Sequence, residues 1–307
     1  MRHLISATAA LLATGLATLP AAAQEASDRV IGKPEAWATG YQPAVTEVAA
    51  RLHDLTFWLH VIATLITVFV TVLLAYTVWR YAEKRNPTPD RFSHNTPIEV
   101  AWTLVPVLIL VGIAWPSIKY LYFQQTVPPA NVTVKAIGHQ WYWEYMYVID
   151  GEEVYVDSNM AGYGYATYDD MVNGMLANGA SEDEIPSRAL WRLESTQPMI
   201  VPSEAIVNVQ VTSVDVLHAF AMPSFGVKAD AVPGQLNETW FAVGKAYEGT
   251  YYGQCSELCG KDHAYMPIEV KVVSPEAFEV AMQEIKAEYA AKQGRGETRV
   301  ATLAADQ

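Results

Sequence analysis

The stretch GQCSELCGKDHAYM, residues 253–266, brings two thiols, an imidazole and a thioether together with the spacing C-x3-C-x3-H-x2-M. A second imidazole, His218 in the segment DVLHAF, lies 37 positions before the first cysteine. Sulfur ligands combined with imidazoles bind copper better than they bind magnesium or calcium. The segment therefore predicts a copper site, and its four candidate ligands besides His218 are Cys255, Cys259, His263 and Met266.

The sequence around this segment predicts a β-sandwich or β-barrel. Short stretches rich in Val, Tyr, Trp and Thr alternate with turn residues, which is typical of strands. So many short strands in so short a region favour two packed sheets. The stretches are 132–137, 141–149, 205–214, 216–222, 238–243, 250–255 and 268–273. We expect this domain to cover residues 125–275, with a less regular, glycine-containing insert at 158–195 that forms an acidic docking surface or a lid.

After the domain, residues 276–307 predict a helix and a frayed tail. Phe278, Met282, Ile285 and Tyr289 share one face at helical spacing.

Alternatives exist for each side chain of the metal segment taken alone. A disulfide between Cys255 and Cys259 suits an oxidising compartment. Closing so short a loop is sterically tight, however, and a disulfide leaves the histidine and methionine spacing unexplained. His218 and Met266 by themselves would be ordinary core residues, and only the combination favours a metal.

Two apolar stretches precede the β domain. Residues 55–79 and 98–123 are each long enough to cross a bilayer as a helix. The loop 80–97 between them carries four Lys/Arg and two acids, which predicts a cytoplasmic loop. Residues 1–23 have the layout of a cleaved signal peptide, and 24–54 predict an outer N-terminal segment. We therefore expect a two-pass hairpin (55–124) with both termini and the β domain in the periplasm.

The charge distribution indicates the kind of partner. Residues 125–307 hold 11 Lys/Arg and 25 Asp/Glu, so the whole negative charge of the chain, −13, lies in the outer part. Such a balance excludes a nucleic-acid-binding face, which needs basic patches. It favours a basic partner attracted by electrostatic steering, although solubility alone is the simpler explanation.

Two further features are ambiguous from residues alone. In GHQWYWEY, 138–145, the side chains of Trp141, Trp143 and Tyr145 would line one strand face as core, but an exposed tryptophan on an acidic redox protein could also receive electrons. Glu99 begins the second apolar helix. A carboxylate there faces protein or a water path, or it is a headgroup-level acid without a special role.

Together, the signal peptide, the hairpin and the motifs GHQWYW, DVLHAF, VKADAVPG and GQCSELCGKDHAYMP resemble subunit II of bacterial cytochrome c oxidase over roughly residues 40–275. The resemblance implies a membrane-anchored all-β protein, in which a two-helix hairpin carries a cupredoxin-like β-barrel at the bacterial inner membrane. It also implies the activity. Electrons from cytochrome c enter at a dinuclear copper centre, CuA, and pass to haem in subunit I, where oxygen is reduced to water with proton translocation.

The resemblance implies a role for each metal ligand. Cys255 and Cys259 bridge both coppers, while His218 and His263 each bind one. Met266 and the backbone carbonyl of Glu257 are weak ligands. The Glu257 side chain also reaches a magnesium ion shared with subunit I, and the haems belong to subunit I alone.

Further roles follow from the same resemblance. Trp141 is where electrons enter, beside Gln140 and Tyr142. Asp157 and Asp215 are candidate docking residues for cytochrome c, and Glu99 lies at the mouth of a proton channel in subunit I. Two positions depart from the family pattern: Met146 replaces an acid of the docking region, and Gln235 replaces a basic residue at the subunit interface.

Other classes of protein fit less well. A quinol oxidase subunit II lacks the copper ligands that are present here. A membrane-anchored thioredoxin-like copper chaperone has one anchor helix, and its histidine follows its cysteines. Nitrous oxide reductase carries the same loop on a soluble protein with a propeller domain. A purely structural subunit would bind no metal, so metal content separates it from the others.

Overall fold

The computed structural model describes residues 30–33, 35–182 and 185–294. These residues form two compact units. One comprises the residues up to Ala49 and those from Val127 onward, and the other is Ala50–Thr126. The predicted signal peptide, 1–23, and the predicted tail beyond 294 lie outside the described residues.

Two long helices carry the apolar stretches. Helix α1 spans Glu47–Arg80 and α2 spans Thr96–Gln125, and both are long and apolar enough to cross a membrane. The first begins earlier than the predicted residue 55, because Thr46 caps it by accepting a hydrogen bond from the Ala49 amide at 3.0 Å. The apolar pattern of the sequence predicted only the part of this helix that is apolar enough to lie in a lipid bilayer.

The outer unit is a sandwich of two sheets, which confirms the predicted fold class. One sheet has the order β5-β11-β10-β7-β8 with β1 beside β10, and the other has the order β4-β3-β2-β6-β9. The strands are β1 Val30–Ile31, β2 Val132–His139, β3 Tyr142–Ile149, β4 Glu152–Ser158, β5 Met199–Pro202, β6 Ile206–Ser213, β7 His218–Met222, β8 Val227–Ala231, β9 Asn237–Ala242, β10 Gly249–Cys255 and β11 Pro267–Val273.

Large side chains fill the space between the sheets. Trp143, Tyr145, Phe220, Phe225 and Phe241 are fully buried. Two helices accompany the sandwich. Helix α3, Tyr168–Ala177, lies in the insert, and α4, Pro275–Gly294, buries Phe278 and Met282 as its apolar face predicted.

The pattern of strand residues missed four strands. The sequence of β4 is dominated by polar residues, β8 (VKADA) is polar and small, and β5 has only four residues. The two-residue β1 pairs in parallel with β10. Such strands carry too few apolar positions to show a period of two, and their neighbours in the sheet stabilise them instead.

The N-terminal segment packs on the sandwich. The described part of the predicted outer segment 24–54, up to Ala49, belongs to the sandwich unit. Val45, Val48 and Ala49 are buried there, and the Thr46 hydroxyl donates to the Phe225 carbonyl at 2.7 Å.

Candidate metal centre

The predicted ligands converge at one end of the sandwich. His218 begins β7 and Cys255 ends β10, two neighbouring antiparallel strands. Cys255 Sγ lies 3.8 Å from His218 Nδ1 and 3.9 Å from Cys259 Sγ. The donor atoms of these three buried residues all lie within 4.8 Å of one another, close enough to share a metal ion. Both cysteines are free thiols, so the disulfide alternative finds no support in the structure.

The remaining predicted ligands follow in the loop after β10. His263 Nδ1 lies 3.5 Å from Cys259 Sγ, next to the three-residue group. Met266 is fully buried, and its carbonyl accepts the Cys255 amide at 3.0 Å. The Glu257 carbonyl lies 3.3 Å from Cys255 Sγ, while the Glu257 residue itself is exposed. The loop therefore brings the Glu257 carbonyl to the first cysteine and the His263 imidazole to the second.

The two thiols differ in their electrostatics. Burial opposes ionisation of Cys255, but hydrogen bonds from His218 and from backbone groups outweigh it and lower its pKa to about 7. Burial and the neighbouring Cys255 raise the pKa of Cys259 to about 12. Without a cation, the first thiolate thus hinders formation of the second. Bound metal would compensate both charges, since metal binding displaces protons from its ligands.

Asp215 orients the buried imidazole. Its carboxylate lies 2.9 Å from His218 Nε2 and also accepts the Val216 and Gln140 amides at 2.6 and 2.7 Å. Burial would lower the pKa of His218, yet its contacts with Cys255 and Asp215 raise it. A carboxylate behind a histidine fixes the ring and the nitrogen presented to the metal. The sequence analysis predicts only a docking role for Asp215.

Gln140 and Trp141 hold the second cysteine. The Gln140 side-chain amide donates to the Cys259 carbonyl at 2.7 Å, and the Trp141 indole donates to the same oxygen at 3.3 Å. Strand β3 starts at Tyr142, so Trp141 lies outside it and is partly exposed. The core-packing alternative holds for Trp143 and Tyr145, which are fully buried, and fails for Trp141.

The other predicted residues lie apart from the cluster. Tyr142 stacks on His139 with ring centroids 4.5 Å apart. Asp157 is exposed on β4 opposite Glu144 of β3. In the membrane unit, Glu99 lies in the first turn of α2 and accepts the amide of the capping residue Asn95 at 2.9 Å. This bond gives Glu99 a helix-capping role that the sequence analysis did not foresee.

The sequence analysis also missed contacts between the insert and residues 256–266, the loop between β10 and β11, which we call the metal loop. The Tyr163 hydroxyl donates to Asp262 at 2.7 Å. The Arg192 guanidinium lies 4.7 Å from the centroid of the Tyr265 ring. These partners are 99 and 73 positions apart in the sequence, and no local pattern links them.

A membrane hairpin joined to a two-sheet domain with a buried Cys-Cys-His cluster defines a membrane-anchored protein of cupredoxin type with a candidate metal site. Two family models match the chain: "Cytochrome C oxidase subunit II, transmembrane domain" over residues 34–120 and "Cytochrome C oxidase subunit II, periplasmic domain" over 132–273. The chain belongs to the family of cytochrome c oxidase subunit II, an electron-transfer subunit of a haem–copper oxidoreductase.

Individual relatives agree with the family models. The chain is 45% identical over 295 residues to cytochrome c oxidase subunit 2 of Cereibacter sphaeroides, covering 93% of both chains. It is 42% identical to the Zea mays subunit, covering 78% of this chain and 86% of that one. The crystal structure of the periplasmic domain of subunit II from Bradyrhizobium japonicum is 43% identical and covers 53% of this chain and 99% of that chain, with a TM-score of 0.42.

Proposed function

We propose that this chain is the subunit through which electrons enter its oxidase. The bound group would be CuA, a dinuclear copper centre that takes single electrons from cytochrome c and yields them to haem in subunit I, where oxygen is reduced to water and protons are translocated. The observation that carries the proposal is the buried cluster of two free thiols and an imidazole, with a second imidazole 3.5 Å from Cys259 Sγ. Soft, polarisable donors of this kind suit copper.

The residues present fit this group. Cys255 and Cys259 would supply the thiolates that hold the metals, and His218 and His263 would each supply one nitrogen. Met266 and the Glu257 carbonyl would complete the set as weak ligands. Two buried thiolates without a counter-charge are unfavourable, and the raised pKa of Cys259 reflects this. A cationic pair removes that penalty.

Trp141 is the proposed point where electrons enter. Its partly exposed indole faces solvent and also donates to the carbonyl of Cys259, so a single hydrogen bond links the surface to a ligand residue. Gln140 and Tyr142 flank it. Cytochrome c would dock on the surrounding acidic surface, with Asp157 and Asp215 as contact residues, because opposite charges steer association.

The membrane unit and the exposed residue Glu257 complete the proposal. Glu257 would share a magnesium ion with subunit I, and Glu99 would lie at the mouth of its proton channel. The hairpin would sit in the lipid of the bacterial inner membrane with both termini and the sandwich in the periplasm.

The first test is a metal count on the full chain in detergent, reduced, loaded with copper and studied by electron paramagnetic resonance. We expect two coppers per chain and one unpaired electron shared equally between them. Cys259→Ser and His218→Gln should abolish that signal, whereas His139→Gln, an imidazole outside the cluster, should preserve it. One copper with an ordinary hyperfine pattern would indicate a mononuclear site or a chaperone, and no copper would indicate a structural subunit.

A second test concerns the surface. Trp141→Phe should slow electron uptake from reduced cytochrome c in the assembled oxidase without changing copper content, and Trp37→Phe, at a residue 97% exposed, is the matched control. Asp157→Asn should weaken the dependence of that rate on salt concentration. An unchanged rate and salt dependence would exclude this surface.

A further inference from the structure

We propose that the insert 158–195 clamps the metal loop, with Tyr163 and Arg192 as positioning residues that hold His263 and Met266 in the ligating arrangement. This inference rests on the proposed function for its effect on copper. The clamp itself is a property of the metal-free chain.

The two clamp contacts grip residues that adjoin the ligands. Asp262, which accepts the Tyr163 hydroxyl at 2.7 Å, directly precedes His263. Tyr265, whose ring lies 4.7 Å from the Arg192 guanidinium carbon, directly precedes Met266. Fixing these neighbours restricts the backbone that carries both ligands.

Arg192 is placed for this contact. Its guanidinium also lies 4.2 Å from the Trp191 ring centroid, so it contacts two aromatic rings. Its Nη2 donates to the Ala166 carbonyl of the insert at 3.5 Å, and among the described residues its buried Nε has no hydrogen-bond partner. Its φ of +74° is a conformation that non-glycine residues rarely adopt. A cation held in this way is stabilised by the ring faces.

Hydrogen bonds fix both ends of the insert. Its ends are joined by backbone hydrogen bonds from Thr196 to Asn159 at 2.8 Å and from Ala161 to Glu194 at 2.9 Å. The Ser195 amide donates to Glu269 of β11 at 2.7 Å, which fixes the insert to the sheet. Inside it, Met171 of α3 is fully buried. These bonds favour a fixed brace over the movable lid that the sequence left open.

The metal loop needs such a brace. Among the described residues, the backbone hydrogen bonds of the loop between Ser256 and Tyr265 are few: Ser256 to Ala219 at 3.0 Å, His263 to Gly260 at 3.3 Å and Tyr265 to Asp262 at 2.9 Å. Gln140 and Trp141 hold the loop at Cys259, and the insert holds it at Asp262 and Tyr265, three and six residues further on. Side chains from two distant segments thus hold the loop in place of the backbone hydrogen bonds that a neighbouring strand would provide.

The experiment compares Tyr163→Phe, Arg192→Gln and the double variant with two matched controls in the full chain. Tyr155→Phe removes a hydroxyl that donates to Glu153 at 2.7 Å on β4, away from the loop. Arg188→Gln removes a guanidinium 4.4 Å above the Tyr168 ring within the same insert. Arg192→Lys retains the cation, so it should preserve part of the clamping effect that Arg192→Gln removes.

The first measurement needs no metal. Hydrogen exchange of the reduced, metal-free chain should accelerate in residues 257–265 of the double variant by about tenfold, since a charge-assisted hydrogen bond and a cation–π contact are lost. The controls and the strands of the sandwich should exchange as in the wild type. Equal exchange in the double variant and the controls would overturn the clamp.

The second measurement uses copper. The double variant should lose copper to a chelator about tenfold faster than the wild type and show an altered hyperfine pattern, whereas the controls should not. A wild type that binds no copper would refute the proposed function, and the exchange experiment would still decide the clamp. If Arg192→Gln unfolds the chain, Tyr163→Phe and Arg192→Lys decide it, because they retain the ring and the cation.

Discussion

The two halves of the candidate metal centre are held by different means. His218 and Cys255 lie on β7 and β10, whose positions are fixed by neighbouring strands on both sides. Cys259 and His263 lie on a loop that other segments hold through side chains. The strand half therefore inherits the rigidity of the sandwich. The loop half depends on individual contacts, so single substitutions should alter it locally.

Substitution of Gly138 should lower the free energy of unfolding most, because it affects His218 in the half of the centre that is held by strands. A methyl group there would lie 2.7 Å from Cδ2 of His218, a ring already held by Asp215. Overpacking of this kind lowers the free energy of unfolding by about 1–3 kcal/mol, so Gly138→Ala should lower the melting temperature of the sandwich by several degrees. Gly244→Ala, where a methyl group meets nothing within 4 Å, is the control. Equal melting temperatures would contradict the rigidity of this half.

Gly260→Ala should have a smaller effect, confined to the loop half. Its φ of +127° suits only glycine, and a methyl group would lie 3.1 Å from the Gln140 side-chain nitrogen. We expect a loss of about 1–2 kcal/mol, seen as faster hydrogen exchange in the loop with little change in the strands. Gly164→Ala, with φ +97° and open space, measures the backbone strain alone. If Gly260→Ala destabilised the strands equally, the two halves would not be independent.

The two thiols should differ in reactivity. In the reduced, metal-free chain, alkylation followed by peptide mass spectrometry should modify Cys255 before Cys259 by more than about tenfold near pH 8, since each pKa unit is a factor of ten. The Cys255 rate should rise through pH about 7, its pKa.

The same pKa predicts a stability change with pH. A pKa lowered from the unfolded value of about 8.5 means that ionisation of Cys255 adds stability that is complete above that pH. The contribution is lost as the pH falls through about 7. His218→Gln should move the alkylation profile to higher pH because it removes the hydrogen bond to the thiolate. Preferential modification of Cys259 would contradict this assignment.

Gln140→Ala should have the smallest effect. It removes one hydrogen bond to the Cys259 carbonyl while the bond from Trp141 remains. Because Gln140 is exposed, water replaces the donor, and we expect a loss of about 1 kcal/mol in loop stability by hydrogen exchange. Gln210→Ala, which removes a 3.0 Å bond to Glu238, is the control. If the loop exchanged hydrogen at the same rate in both variants, the insert, and not Gln140, would be the main support of the loop.

By itself the sequence determined the membrane hairpin, the two-sheet fold class and which side chains are candidate metal donors. These features depend on local spacing: long apolar stretches, apolar alternation in the strands, and ligands that mostly lie in one short loop. It did not determine β4, β5 or β8, whose residues show no strand pattern, nor that the N-terminal segment up to Ala49 joins the sandwich.

Only the tertiary structure placed Trp141 outside the strand, set Asp215 behind His218 and brought Tyr163 and Arg192 to the metal loop. Hydrogen bonds and ring contacts between residues distant in the chain form only once the sheets and the insert have packed. Their energies depend on separations of a few ångströms that sequence spacing does not specify.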